Sequence, residues 1–183
     1  FTRDYGTCSL SVDFDSQKIS YPEEKGLKIN DRTTSNFEHP ENFVVLECVC
    51  RLLEKGYRPE HIELEPRWTV GHDAKGGKTD ILVRNANGQP LLIIECKTWG
   101  AEFSKEKKRT EQDGGQLFSY WQQENATQWL ALYASEWDGD KIRYKCLVIH
   151  CKDDANIVKL AEKESSIKTY ADARNGRERF EGW

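Results

Sequence analysis

Residues 78–97 constrain the chain more tightly than any other stretch. Two apolar, β-rich runs, 78–84 and 90–97, flank Asn87-Gly88. Asn-Gly is the strongest short hairpin signal, because both central residues of a type I′ turn need positive φ. A turn centred on that dipeptide makes the numbers of each cross-strand pair sum to 175, so Asp80 falls opposite Glu95 and Lys78 opposite Lys97. Strand side chains alternate, which puts Glu95 and Lys97 on one face together with Asp80. Opposed Cβ atoms stand about 4.5–5.5 Å apart. Two carboxylates and an ammonium group therefore converge on one spot.

The neighbouring positions decide how wet that spot is. Leu82, Leu91 and Ile93 line one face, and Ile81, Val83, Leu92 and Ile94 the other. Strands apolar on both faces are normally covered on both, which disfavours the plainer reading of an exposed hairpin with a cross-strand ion pair. In a partly dry site two close carboxylates repel, and one stays protonated unless a cation lies between them. A hard divalent ion, Mg²⁺ by default, suits a few carboxylate oxygens completed by water and phosphate. Such an ion lowers the pKa of bound water and neutralises phosphodiester charge. Lys97 would then hold or activate the attacking water, or stabilise the pentavalent transition state.

The 183 residues carry 31 acidic and 27 basic side chains, for a net charge of −4, and 37% are apolar. A chain this long closes a core without staples, since ~150 residues already bury about 68–70% of their unfolded surface. The six cysteines show no CxxC pair and sit mostly inside apolar runs, so they are expected as reduced, buried thiols of a cytoplasmic protein. There is no apolar run of about 18 residues and no signal-peptide pattern, which sets aside membrane and secretory readings. The chain opens at Phe1 and has no methionine, and reads as part of a longer product. The mildly acidic balance argues against indiscriminate nucleic-acid binding but allows a local basic patch.

Residues 1–36 show no sustained period and are expected as a surface arm with a short strand near Cys8 to Val12. Pro40 suits the first helical position and opens a helix of about four turns that stops at Gly56. Residues 61–68 alternate like a half-buried strand, and 104–124 read as a second helix weakened at Gly114-Gly115. Two more strands are expected at 129–135 and 142–149. The order predicts an α/β fold over 37–150, a three-layer sandwich with a mixed central β-sheet flanked by helices. Residues 151–183 read as a polar helical extension or the start of a linker.

An acidic strand residue (GKTDILV), then an apolar strand ending in acid, any residue, lysine (LLIIECKT), behind a glutamate-bearing helix, resembles the PD-(D/E)xK nuclease superfamily, with Thr79 where the family name has proline. The string GGQLFSYWQQ puts Gln116 and Tyr120 at i and i+4, on one helix face. It looks like the Q-x-x-x-Y element of the endonuclease domain of type I restriction motor subunits and their single-chain restriction-modification relatives. The resemblance covers residues 40 to about 149. It implies a restriction-endonuclease-like fold, Asp80, Glu95 and the Cys96 carbonyl as ligands of Mg²⁺ (Mn²⁺ substituting), and Lys97 as catalytic. Gln116 and Tyr120 would position the site or contact DNA. For the family's helix glutamate both Glu41 and Glu47 are available. Glu41 has the family's position but also suits a helix N-terminus; Glu47 is favoured slightly, because a charge inside VVLECVC needs an explanation, although Arg51 at i+4 offers one.

Lys105, Lys107 and Lys108 could grip phosphates, or simply form a solvated helix face. Trp68, Trp99, Phe118, Trp121 and Trp129 read as core packing rather than base-stacking platforms. The loop GHDAKGGK lacks P-loop spacing, and Cys146, His150 and Cys151 lack a second ligand pair for zinc. The resemblance implies the cleavage module of a type I-like or fused restriction-modification enzyme acting on double-stranded DNA. Its motor, methyltransferase and specificity parts would lie outside this chain, and dimerisation on DNA is compatible with double-strand cutting. The alternatives are a catalytically inactive nuclease fold that binds nucleic acid or a partner, and a repair or junction nuclease of the same superfamily. No base-reading module is identifiable.

Overall fold

The computed structural model describes residues 1–68 and 77–151. The GHDAKGGK loop through Gly76 and the C-terminal extension from 152 lie outside the described residues. In chain order the elements are β1 (Thr2–Asp4), β2 (Ser9–Asp13), β3 (Lys18–Ser20), β4 (Lys28–Ile29), α1 (Glu41–Glu54), β5 (Ile62–Leu64), β6 (Ile81–Arg84), β7 (Pro90–Cys96), α2 (Ala101–Asp113), α3 (Gly115–Gln123), β8 (Trp129–Trp137) and β9 (Ile142–His150).

β4 to β9 form one six-stranded sheet in that spatial order. It is mixed: β4–β5 and β7–β8 pair parallel, and the other neighbours pair antiparallel. Every residue of β7 is buried, as expected of a central strand covered on both faces. One cover is α1, whose Val44, Val45, Cys48, Val49 and Leu52 pack with Ile81, Val83, Leu92 and Ile94. The other is the α2–α3 pair, with Phe103, Leu117 and Tyr120 against Leu82, Ile93, Leu130 and Leu132. The expected three-layer α/β sandwich is thus present. Gly56 ends α1 at φ +84°; its N–H donates to Leu53 O and that of Tyr57 to Leu52 O, a Schellman stop that only glycine makes without strain.

The first 36 residues are not a bare surface arm. β1, β2 and β3 form an antiparallel sheet, whose Leu10, Val12 and Ile19 join Tyr21 and Leu27 in the core beneath α1. β4 pairs with β5 in the main sheet. Strands of two to five residues hold too few alternations to register as a period. The strand expected over 61–68 shortens to Ile62–Leu64 because Glu65 turns the backbone at φ +55°. The helix expected over 104–124 starts earlier and breaks where Gly114 and Gly115 take φ +83° and +53°.

The hairpin reaches the expected register by a different route. Ile81↔Ile94, Leu82↔Ile93 and Val83↔Leu92 all sum to 175, but Arg84 pairs with Pro90 across an irregularity between Val83 and Arg84. In the turn only Gly88 has positive φ, +75°, and its N–H donates to Asn85 O at 2.9 Å. Asn85 Oδ1 accepts the N–H groups of Asn87 at 2.9 Å and Gln89 at 3.0 Å. This is a turn closed by a left-handed glycine, not type I′. It is one residue longer than expected, and the irregularity restores the sum.

Candidate active site

The register carried one residue past Ile81↔Ile94 sets Asp80 across from Glu95. Asp80 is half-buried and its Oδ2 accepts the Cys96 N–H at 2.7 Å. An extended residue sends its N–H and C=O to the same side, so the Cys96 carbonyl also leaves β7 on the Asp80 side. Glu95 is 4% exposed. Lys97 Nζ donates to Glu95 Oε1 at 2.6 Å and lies 3.6 Å from Glu41 Oε2. The buried Thr79 hydroxyl donates to Ile94 O at 3.0 Å and stands 3.4 Å from Glu95 Oε2, a contact that proline could not make.

The electrostatics follow from burial. Desolvation raises the Asp80 carboxyl to about 7, with Glu41 adding to the rise while the Cys96 N–H and Lys97 oppose it. Desolvation and then the Asp80 charge raise Glu95 to about 8, against the pull of Lys97. Lys97 loses hydration too, but the charges of Glu95, Glu41 and Asp80 outweigh this and hold its amine firmly protonated. Two carboxyls and one cation thus share a dry corner at the end of β7.

α3 brings Tyr120, 5% exposed, against this corner. Burial and the charges of Glu95 and Asp80 push its hydroxyl up. Gln116 Nε2 donates to Tyr120 Oη at 3.4 Å, as the i, i+4 spacing predicts. A Cβ on Gly77 would fall 2.9 Å from Tyr120 Cε1, so glycine is what lets the approach to β6 run close against the tyrosine ring.

The two helix glutamates separate cleanly. Glu41 reaches the site through Lys97. Glu47, the one favoured from sequence, does not: it pairs with Arg51 and accepts the Tyr133 hydroxyl. Arg51 in turn donates from Nε to Tyr133 Oη at 2.9 Å and lies over the Tyr144 ring. Its burial is explained by that network. Glu47 and Arg51 line a groove of about 680 Å³ with Pro40, Phe43, Trp99 and Trp137, whose lining includes none of Asp80, Glu95 and Lys97. Lys105, Lys107 and Lys108 are exposed on α2, Lys107 lies 3.6 Å from Glu111, and none of the three pairs with Asp80 or Glu95.

Among the described residues no three His, Cys, Asp or Glu side chains converge as a metal site by themselves. The donor set present, two carboxylates and the Cys96 carbonyl, is all hard oxygen. It fits an ion that takes one or two carboxylates and keeps several waters, which is the Mg²⁺ pattern. Sequence reasoning missed Thr79 as a contact and Glu106, buried on α2, which accepts the Gln116 N–H at 2.9 Å. A signal existed for Glu106: a helix entered through two glycines has no side chain of its own for a cap. No protein-family model and no curated protein sequence matches the chain. No helix among the described residues is long and apolar enough to cross a membrane.

Proposed function

We propose that the chain is a divalent-metal-dependent endonuclease hydrolysing DNA phosphodiester bonds at the Asp80–Glu95–Lys97 corner. The observation that carries the reading is the geometry of the corner, with Asp80 across from the buried Glu95 and Lys97 Nζ 2.6 Å from Glu95 Oε1, where burial raises both carboxyls. A buried like-charge pair costs stability and serves no packing purpose, and such groups cluster at functional sites.

Asp80, Glu95 and the Cys96 carbonyl would hold Mg²⁺, or Mn²⁺ in its place. When bound, the ion supplies Lewis acidity that activates water and neutralises phosphate charge. Lys97 remains a cation throughout the working pH range, so it acts as an electrostatic clamp on developing negative charge rather than as a base. Glu41 gives the ammonium a second partner, so Lys97 is held between helix and strand. The Tyr120 hydroxyl, accepting from Gln116, keeps its own proton free to donate to a phosphate oxygen. Lys105, Lys107 and Lys108 add an exposed basic run on α2 for flanking phosphates.

The Q-x-x-x-Y resemblance extends the reading to a cytoplasmic type I-like or fused restriction-modification enzyme, with motor, methyltransferase and specificity parts elsewhere. The test is nicking of supercoiled plasmid by the chain with Mg²⁺ or Mn²⁺, beside Lys97→Ala and an EDTA control. Metal-dependent nicking lost in Lys97→Ala is expected. Nicking that survives both Lys97→Ala and EDTA refutes the assignment. An inactive chain that still binds DNA without metal favours the binding-module alternative.

A further inference from the structure

We infer that Glu106 is a positioning residue of this site, acting through α3 rather than on substrate; the inference rests on the nuclease reading. α3 begins at Gly115 after Gly114, which offers no side-chain cap. The first N–H groups of a helix need acceptors from elsewhere, and a carboxylate there also meets the positive end of the helix dipole. Glu106 supplies both from the preceding helix. Its side chain is only 4% exposed, Oε1 accepts the Gln116 N–H at 2.9 Å, and Oε2 accepts from Arg109 at 3.1 Å. The residue whose main chain it holds is the one whose side chain reaches Tyr120 Oη, and the buried Tyr120 hydroxyl lies within range of the charges of Glu95 and Asp80. Glu106, Gln116 and Tyr120 are therefore joined by hydrogen bonds of 2.9 and 3.4 Å, ending beside the carboxyl pair.

The junction is also tight. A Cβ on Gly115 would fall 2.6 Å from Glu106 Oε1 and 3.0 Å from Thr110 Oγ1. Glycine at 115 is what allows the carboxylate to approach the helix end. The proposal is specific to the acceptor oxygen: Glu106→Gln keeps one for the Gln116 N–H, and Glu106→Ala keeps none.

The experiment compares Glu106→Ala, Glu106→Gln and Gly115→Ala with the wild-type chain, with exposed Glu102→Ala as control on the same helix. Two readouts are taken. The first is the position of the Gln116 amide and Tyr120 ring resonances at constant pH in isotopically labelled protein, assigned with Tyr120→Phe. The second is Mn²⁺-dependent plasmid nicking. Expected in Glu106→Ala are Gln116 amide and Tyr120 ring resonances displaced from their wild-type positions, and a fall in kcat on the order of 10²-fold with KM little changed. Glu106→Gln restores most of both, and Glu102→Ala matches wild type. Gly115→Ala, which displaces the carboxylate without removing it, reproduces the Tyr120 change and decides the matter if Glu106→Ala does not fold. Wild-type Gln116 and Tyr120 resonances in Glu106→Ala or Gly115→Ala, or equal loss in Glu106→Gln and Glu106→Ala, overturn the proposal. Absence of nicking in the wild type counts against the nuclease reading alone, because the tyrosine readout still decides the role of Glu106.

Discussion

Replacing Glu95 by Gln should stabilise the metal-free protein at alkaline pH. Burial and the Asp80 charge push the native carboxyl from an ordinary 4.5 up to about 8, so the native state binds a proton that the unfolded chain has released. Stability from that proton is fully present below the unfolded pKa of 4.5 and is lost as pH rises through about 8. At ~1.4 kcal/mol for each pH unit between the two states, holding Glu95 ionised costs the fold about 5 kcal/mol above pH 8. Glutamine stands in for the neutral acid and avoids that cost. The pull of Lys97 on the charged form, through the 2.6 Å contact, already opposes the rise and is contained in that cost. The gain above pH 8 is on the order of 5 kcal/mol, or about 10–20 °C in Tm for a chain of this size. The assay is thermal unfolding in EDTA from pH 5 to 9. Wild type should lose stability steadily across that window, and Glu95→Gln should lose much less. A variant less stable than wild type at pH 9, or curves that stay parallel, would refute the reasoning.

Glu41→Gln should lower cleavage and leave Tm within about 1 kcal/mol of wild type, whereas Glu47→Gln should destabilise by about 1–3 kcal/mol and, in the fraction that stays folded, cleave normally; the reverse assignment would return Glu47 to the site. Lys78→Met strands the fully buried Glu65, whose Oε1 lies 2.9 Å from Lys78 Nζ, and should cost about 3 kcal/mol in urea unfolding at pH 7. Glu65 Oε1 also accepts the Thr33 N–H at 3.1 Å, and a loss below about 1 kcal/mol would mean that Thr33 alone satisfies that carboxylate.

The residues of the corner were legible because hairpin pairing is arithmetic and side-chain alternation is strict. The turn itself was not: Asn87 keeps a negative φ, and a longer turn and an irregularity after Val83 cancel to leave Asp80 across from Glu95. Glu47 misled because burial was taken as a sign of function, while its partner Tyr133 lies 86 residues away and leaves no local trace. Glu41 reaches the site only because α1 starts beside the end of β7. The N-terminal sheet stayed hidden for want of length, and Glu65, with its left-handed backbone, cut short a strand whose alternation looked continuous.

The central claim, that Asp80 and Glu95 form a divalent-cation site, is tested most directly by calorimetric titration of metal-free protein with Mn²⁺ at pH 7 in buffers of different ionisation enthalpy. With the carboxyls at about 7 and about 8, ion binding must expel protons. The account predicts binding that releases roughly one proton per ion and disappears in Asp80→Asn. No binding at millimolar Mn²⁺, or binding without proton release that persists in Asp80→Asn, would contradict it.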